Sequence, residues 1–568
     1  MNTSVDTAHT APTVGQYLAQ RLTQLGATNL FGLPGDFNLT LLDQMLTVEE
    51  LQWVGSTNEL NASYAADAYA RAGRGVGAFV TTFGVGELSA VNGMAGSYAE
   101  DVPVVHIVGM PSRAAMEQGV PLHHTLLDGD FEHGLRVARE FTVADAVLRP
   151  ESAAREIDRV LTAVLSASKP GFIGVPLDVA AAMVQDASDP QPLTVASTRP
   201  DVLAAFERAL RDHVARCSQA TLLAGPRIHR RGLESVVRQI AELPGVQVAS
   251  QSASKAILDE RHPASLGTYL GKTTADPATR DAVDQAELLI MVGTITSDFT
   301  TGFFSHKYVP EEAVELALDH ARIAHAHYPG VMLHDALEVL QRVIGQAEFA
   351  ALEGGASSSV PSQLSTTHAA EDAALTHELF WPEIQNWIAP QTTVIAEAGT
   401  SFYGALDLQL PADSDLLGQP VWSSIGYTLP AVLGAGLAQP QRRPVLFIGD
   451  GSAQLTVQEL GTIFQRIPNS VTFLIENRGY TVERYIQSPD AVYQDVITWD
   501  WPAIPAVLGA PHVHTPRVGT VGELRAVLAE SAANRDASYF ITVDLPERDA
   551  PRLLKVLAEG IAATNTAT

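Results

Sequence analysis

"RPVLFIGDGSAQLTVQELGTIF", residues 443–464, decides the fold. The apolar run ending at Ile448 reads as a strand buried on both faces, the pattern of a parallel sheet covered by helices. Leu455, Leu460 and Ile463 then recur at helical spacing, so Gly449 and Gly451 lie on a strand-to-helix turn. Such a turn offers backbone N–H groups to an anion. A phosphate loop of the Walker type would carry a lysine here, whereas this turn carries Asp450. A carboxylate beside a phosphate is repulsive unless a cation lies between them.

A second turn supplies the rest of a cation site. "SVTFLIENRGYTVERY" (470–485) is again a strand followed by a turn, with Asn477 27 positions after Asp450 (477 − 450). One helix and one strand fit in that interval, so the two turns are expected side by side at one sheet edge. Asp450 carboxylate, Asn477 amide oxygen and the Gly479 carbonyl are hard oxygen donors. Mg²⁺ takes about six such oxygens and is commonly completed by water and phosphates. The expected site therefore holds Mg²⁺ and a diphosphate.

The same alternation of apolar runs and helical patterns fills the chain. "NLFGLPG", "GVGAFVTTFG", "VPVVHIVGM" and "GFIGVPLDV" come first; "ATLLAGP", "GVQVASQ", "ELLIMVG" and "AVELALD" follow; "TTVIAEAG", "RPVLFIGDG", "SVTFLIEN" and "SYFITVDLP" close the series. "VGQYLAQRLTQLG" repeats Val14, Leu18, Leu22 and Leu25 and stops at Gly26, an amphipathic helix with a glycine end. The fold class expected is α/β, with three open, mainly parallel sheets flanked by helices. Their boundaries fall at 13–188, 199–350 and 373–568, after a disordered leader over 1–12 and with a linker over 351–372.

Composition narrows the partners. A net charge of −28 argues against nucleic acid and anionic membranes. The lone Cys217 excludes an internal disulfide framework and fits a reducing compartment. No signal-peptide pattern opens the chain, and no apolar stretch reaches about 18 residues. A soluble, cytoplasmic, multidomain protein is expected.

"FGLPGDFNLTLLDQM" (31–45), "NELNASYAADAYAR" (58–71), "TTFGVGELSAVNGMAGSYAED" (81–101), "PLHHTLLDGDF" (121–131), "GQPVWSSIGYTLP" (418–430) and the paired "GDGS…ENRGYTVE" closely resemble thiamine-diphosphate enzymes. Within that family they resemble the 2-oxo-acid decarboxylases, above all those acting on branched-chain, indolepyruvate or phenylpyruvate substrates. The resemblance covers nearly the whole chain. It implies a pyrimidine-binding domain, a middle domain and a diphosphate-binding domain in that order.

The resemblance also implies roles. Glu59 would hydrogen-bond the cofactor's aminopyrimidine and promote its activation, across a subunit interface, so a homodimer or dimer of dimers is implied. Thr400, Gly451 and Ser452 would meet the diphosphate, with Asp450, Asn477 and Gly479 holding Mg²⁺. Ile425 would bend the cofactor, and the carbonyl of Ser423 would meet its amino group. Asp36, His123, His124 and Glu483 would handle protons around the bound intermediate, for which histidines and carboxylates are suited near neutral pH. Adjacent histidines could alternatively bind metal, but no compact set of further ligands is evident along the sequence. No matched motif aims an Arg or Lys at the substrate carboxylate, which favours its loss.

Phe299, Ala398, Phe402, Val482, Ile486, Leu557 and Ile561 match the substrate pocket. They are apolar, and Ala398 is small, which favours branched, long-chain or aromatic 2-oxo acids over pyruvate, at roughly 0.8 kcal/mol per buried CH₂. Ser423 stands where relatives carry glycine, and Arg478 where many carry an acid. A pyruvate decarboxylase, or a carboligase or oxidase of the same family, is the alternative reading. A nucleotide sensor built on "LLAGPRIHRRGLE" and an inactive scaffold are the other two.

Overall fold

The structure is a computed structural model and describes residues 11–186, 191–350, 364 and 369–558. Residues 1–10 of the expected leader, most of the expected linker over 351–372 and Ile561 lie outside the described residues.

Two compact units make up the chain: residues 1–70 with 75–195, and residues 71–74 with 196–568. The first holds one six-stranded parallel sheet. Its strands are β1 (Asn29–Gly32), β2 (Gln52–Gly55), β3 (Gly77–Thr82), β4 (Val104–Met110), β5 (Ala144–Val147) and β6 (Gly171–Pro176), in the order β2-β1-β3-β4-β6-β5. β3, β4 and β6 are buried at every residue, as both-face coverage by helices demands. The helix Val14–Gln24 packs Val14, Leu18 and Leu22 into this core. Thr13 and Gln16 close its N-terminus with a reciprocal capping box, and Gly26 follows its end at φ +82°.

The second unit holds two sheets. One runs β7 (Ala220–Ala224), β8 (Val246–Ser250), β9 (Ser265–Thr268), β10 (Leu289–Val292), β11 (Val314–Leu316), β12 (His320–Ile323) and β13 (Ala326–Pro329), ordered β13-β12-β11-β10-β7-β8-β9. Here β12 pairs antiparallel with both β11 and β13, and the remaining pairs are parallel. The other comprises β14 (Thr392–Ala396), β15 (Asp415–Leu417), β16 (Arg443–Gly449), β17 (Val471–Glu476), β18 (Arg517–Val518) and β19 (Tyr539–Asp544), ordered β15-β14-β16-β17-β19-β18 and wholly parallel. Three mainly parallel sheets flanked by helices are thus present, as the alternating pattern predicts. The strands with no counterpart in the sequence reading (β2, β5, β9, β12, β13, β15 and β18) are two to four residues long. Such short strands, all at a sheet edge except β12, which lies next to one, carry no extended apolar run.

One expectation is corrected. The helix after Asp450 does not run continuously: it spans Asp450–Thr456, tightens to a 3₁₀ turn at Val457–Glu459, and resumes at Leu460–Arg466. The break rotates Leu455 outward to 51% exposure while Leu460 and Ile463 stay buried. Among the described residues, no helix is long and apolar enough to cross a membrane. Burial pushes the Cys217 thiol up, away from the thiolate form a nucleophile needs.

Candidate active site

β16 and β17 are parallel neighbours with Gly449 opposite Ile475, so Asp450 and Asn477 leave the same sheet edge side by side. Asp450 is buried; its Oδ1 accepts the N–H of Gly451 at 2.8 Å and its Oδ2 the N–H of Arg478 at 2.7 Å. Burial nevertheless pushes the carboxyl up to about 6, a cost that a cation would reverse. The Asn477 amide has two settings: with Nδ2 toward Thr481 Oγ1 at 2.9 Å its Oδ1 faces Asp450 Oδ1 at 3.3 Å and the Gly479 carbonyl at 2.9 Å, and turned over its nitrogen donates to both. In the first setting three acceptors converge with no proton between them. Neighbouring ligands of an octahedral ion with metal–oxygen distances of 2.0–2.1 Å sit about 3 Å apart. The donor set therefore fits a hard divalent cation.

The two glycines of the turn differ in what they require. A Cβ on Gly449 would meet nothing within 4 Å, leaving the backbone open to a ligand. A Cβ on Gly451 would strike the Tyr480 ring at 2.6 Å. Arg478 lies at φ +60° with its side chain exposed, so its charge points away while its backbone N–H serves Asp450.

These turns line a cavity of about 250 Å³ in the second unit. Thr400, Ser423, Ile425, Gly451, Ser452 and Glu483 border it together with the cation donors. So do Phe299, Ala398, Phe402, Val482, Ile486 and Leu557, leaving Ile561 as the pocket residue outside the described chain. Ser423 sits at φ +53°, the left-handed region that favours glycine. Its hydroxyl turns back to the Gln419 carbonyl at 3.2 Å.

The sequence reading missed Glu397, a lone acid at the end of the apolar run "TTVIAEAG". It is buried, accepts from the Ala398 N–H and from the Thr428 hydroxyl, and is pushed by burial up to about 7. It pins the Ala398 wall of the cavity to the turn that carries Ile425. A charge inside a buried strand end was the signal that could have found it.

The first unit gathers the remaining residues. His123 Nε2 lies 2.8 Å from Asp36 Oδ2, and the His123 ring stacks on Phe37 with centroids 5.1 Å apart. His124 stands edge-on to His123 at 4.5 Å, held at φ +62°. Ligand atoms of Asp36, His123 and His124 all lie within 4.8 Å of one another, so a compact set exists that sequence spacing concealed. The glycine of "FGVG" makes room for it, because a Cβ on Gly84 would fall 1.9 Å from the His124 carbonyl. Glu87 Oε1 accepts the Gly84 N–H at 2.9 Å and so anchors that turn. Glu59 opens the helix Glu59–Gly73, half-buried, its Oε1 3.1 Å from where a Cβ on Gly86 would lie.

Comparison with known proteins accounts for this arrangement. Residues 12–130 match the thiamine pyrophosphate enzyme N-terminal TPP binding domain, 208–343 the central domain, and 400–543 the C-terminal TPP binding domain. Proteins named alpha-keto-acid decarboxylase are similar over almost their whole length. That of Mycobacterium tuberculosis is 41% identical over 555 residues, 97% of both chains. Those of Mycolicibacterium paratuberculosis (42% over 544 residues, 96% of both chains) and Mycobacterium ulcerans (40% over 550 residues, 97% and 96%) are comparable. The chain belongs to the thiamine-diphosphate-dependent 2-oxo-acid decarboxylase family. Membership of this family of thiamine-diphosphate enzymes assigns the cavity a cofactor. The open backbone at Gly449, the Thr400 and Ser452 hydroxyls and the three converging oxygens fit the diphosphate end of that cofactor with its cation.

Proposed function

We propose that the protein converts 2-oxo acids to aldehyde and carbon dioxide without oxidation, using thiamine diphosphate and Mg²⁺, and that branched-chain, long-chain or aromatic acids are preferred to pyruvate. The observation that carries the activity is identity above 40% along the whole chain with proteins named alpha-keto-acid decarboxylase, joined to the Asp36–His123–His124 cluster. The apolar lining with Ala398 supports the substrate preference.

When bound, thiamine diphosphate supplies an electron sink that lets the substrate carboxylate depart as carbon dioxide. Asp450, Asn477 and the Gly479 carbonyl would hold Mg²⁺, with Thr400, Gly451 and Ser452 toward the diphosphate. Ile425 and the Ser423 carbonyl would hold the ring system in its bent posture. Glu59 would exchange a hydrogen bond with the aminopyrimidine. The net reaction replaces the carboxylate by a proton at the same carbon, so side chains would have to hold and deliver that proton. Asp36, His123, His124 and Glu483 are the acids and bases proposed for this transfer, worth about 10²–10⁴-fold. Among the described residues no Arg or Lys borders the cavity to stabilise the substrate carboxylate in place, which favours its loss.

The domain assignment proposed is pyrimidine-binding over 13–188, middle over 199–350 and diphosphate-binding over 373–568, with a linker over 351–372. We assign the active assembly as a homodimer or a dimer of dimers, with Glu59 given across the subunit interface as the family resemblance implies. A reducing, cytoplasmic setting suits the single cysteine. The test is carbon dioxide release from a panel of 2-oxo acids with thiamine diphosphate and Mg²⁺ added. Release from 2-oxoisovalerate, 2-oxoisocaproate or phenylpyruvate is expected to exceed that from pyruvate. Acetolactate formed from pyruvate would favour a carboligase instead.

A further inference from the structure

We infer that Thr481 is a positioning residue that sets the cation site by fixing which way the Asn477 amide faces. The inference rests on the reading of Asp450, Asn477 and Gly479 as cation donors.

A hydroxyl has one proton to give. Thr481 Oγ1 donates it to the Glu547 carbonyl at 3.0 Å. While that bond is kept, the oxygen accepts toward Asn477, 2.9 Å away, and the amide presents Nδ2 to it. The amide oxygen is left facing Asp450 Oδ1 and the Gly479 carbonyl. Asn477 is 4% and Thr481 2% exposed, so solvent does not compensate at the amide for a wrong choice, while Glu547 itself is exposed.

The alternative is a self-satisfied site. With the amide turned over, its nitrogen would donate to Asp450 Oδ1 at 3.3 Å and to the Gly479 carbonyl at 2.9 Å. Both oxygens would be occupied by N–H groups, and a cation would meet a donor where it needs an acceptor. Turned that way, the amide oxygen would take the Thr481 proton at 2.9 Å and leave the Glu547 carbonyl without it. Thr481 therefore makes the difference between a loop ready for a cation and a loop that has closed its own hydrogen bonds. Groups that orient metal ligands in this way typically change affinity by about 10–100-fold when removed.

The experiment is titration of Mn²⁺, read by the electron paramagnetic resonance of the unbound ion, in the presence of thiamine diphosphate. Wild type, Thr481→Ser, Thr481→Val, Thr481→Ala and Asp450→Ala are compared. Thr481→Ser should bind as wild type, Thr481→Val and Thr481→Ala about 10–100-fold more weakly, and Asp450→Ala weakest. Metal-free Thr481→Val and Thr481→Ala should remain folded by circular dichroism, because the turned amide satisfies the loop. Wild-type affinity in Thr481→Val and Thr481→Ala with loss in Asp450→Ala would overturn the orienting role while leaving the cation site standing. Wild-type affinity in Asp450→Ala would overturn the cation site itself. A Thr481→Ser protein as weak as Thr481→Val, or metal-free variants that fail to fold, would also overturn the orienting role.

Discussion

Asp36 Oδ2 and His123 Nε2 stand 2.8 Å apart although 87 positions separate them in the chain. Both side chains are half open to solvent, at 50% and 58% exposure, so their hydrogen bond contributes little to stability. Its value lies in holding the imidazole's orientation. Asp36→Asn should therefore lower kcat by about 10²–10⁴-fold while the melting temperature stays as in wild type. Steady-state kinetics beside thermal denaturation would check both halves; a large drop in melting temperature would assign Asp36 a structural role.

Glu59 is expected to act before the substrate arrives. Glu59→Gln should slow exchange of the bound cofactor's C2 proton by about 10²–10⁴-fold without loss of fold, since an amide cannot share a proton with the aminopyrimidine. Gly86→Ala places a Cβ 3.1 Å from Glu59 Oε1 and should push the carboxylate aside, giving a smaller loss in the same direction. Deuterium exchange quenched in acid and read by NMR measures this; wild-type exchange in Glu59→Gln would refute it.

Substrate range should follow the room beside Ala398. Ala398→Trp is expected to penalise 2-oxoisocaproate and phenylpyruvate while sparing pyruvate. Discrimination by a hydrophobic pocket amounts to roughly 1–3 kcal/mol per methylene, so pyruvate should be a slow substrate of the wild type and not an excluded one. The ratio of kcat/KM values across the panel decides it. Equal losses for every substrate would mean that the wall at Ala398 does not set size.

Stability should depend on pH through Glu87. Burial raises its carboxyl to about 7 from an ordinary value of 4.5. The folded state then holds this proton more tightly than the unfolded chain, so the wild type loses stability as pH rises between those two values. The full loss is on the order of 3 kcal/mol, reached above pH 7. Glu87→Gln can still accept the Gly84 N–H and carries no charge to bury. It should flatten that part of the profile and melt relatively higher at pH 8 than at pH 5. Parallel pH profiles of wild type and variant in differential scanning calorimetry would show a wrong assignment.

The sequence by itself determined the three sheets, the strand-to-helix turns and the residues at their tips. Strand burial on both faces leaves an unbroken apolar run, and a turn at a sheet edge needs glycine, so both are written locally in "RPVLFIGDG" and "SVTFLIEN". Asp450 and Asn477 could be paired because one helix and one strand fix the distance between adjacent parallel strands. Tertiary structure alone decided what depends on neighbours remote in the chain. Which way the Asn477 amide faces turns on whether Thr481 gives its only proton to Glu547, 66 residues further on. Asp36 meets His123 across a similar gap, Leu455 turns outward at a helix break, and Glu397 holds two walls of the cavity from a position without solvent. Proton counts and desolvation are set by whatever lies within a few ångströms, and linear spacing carries no record of that.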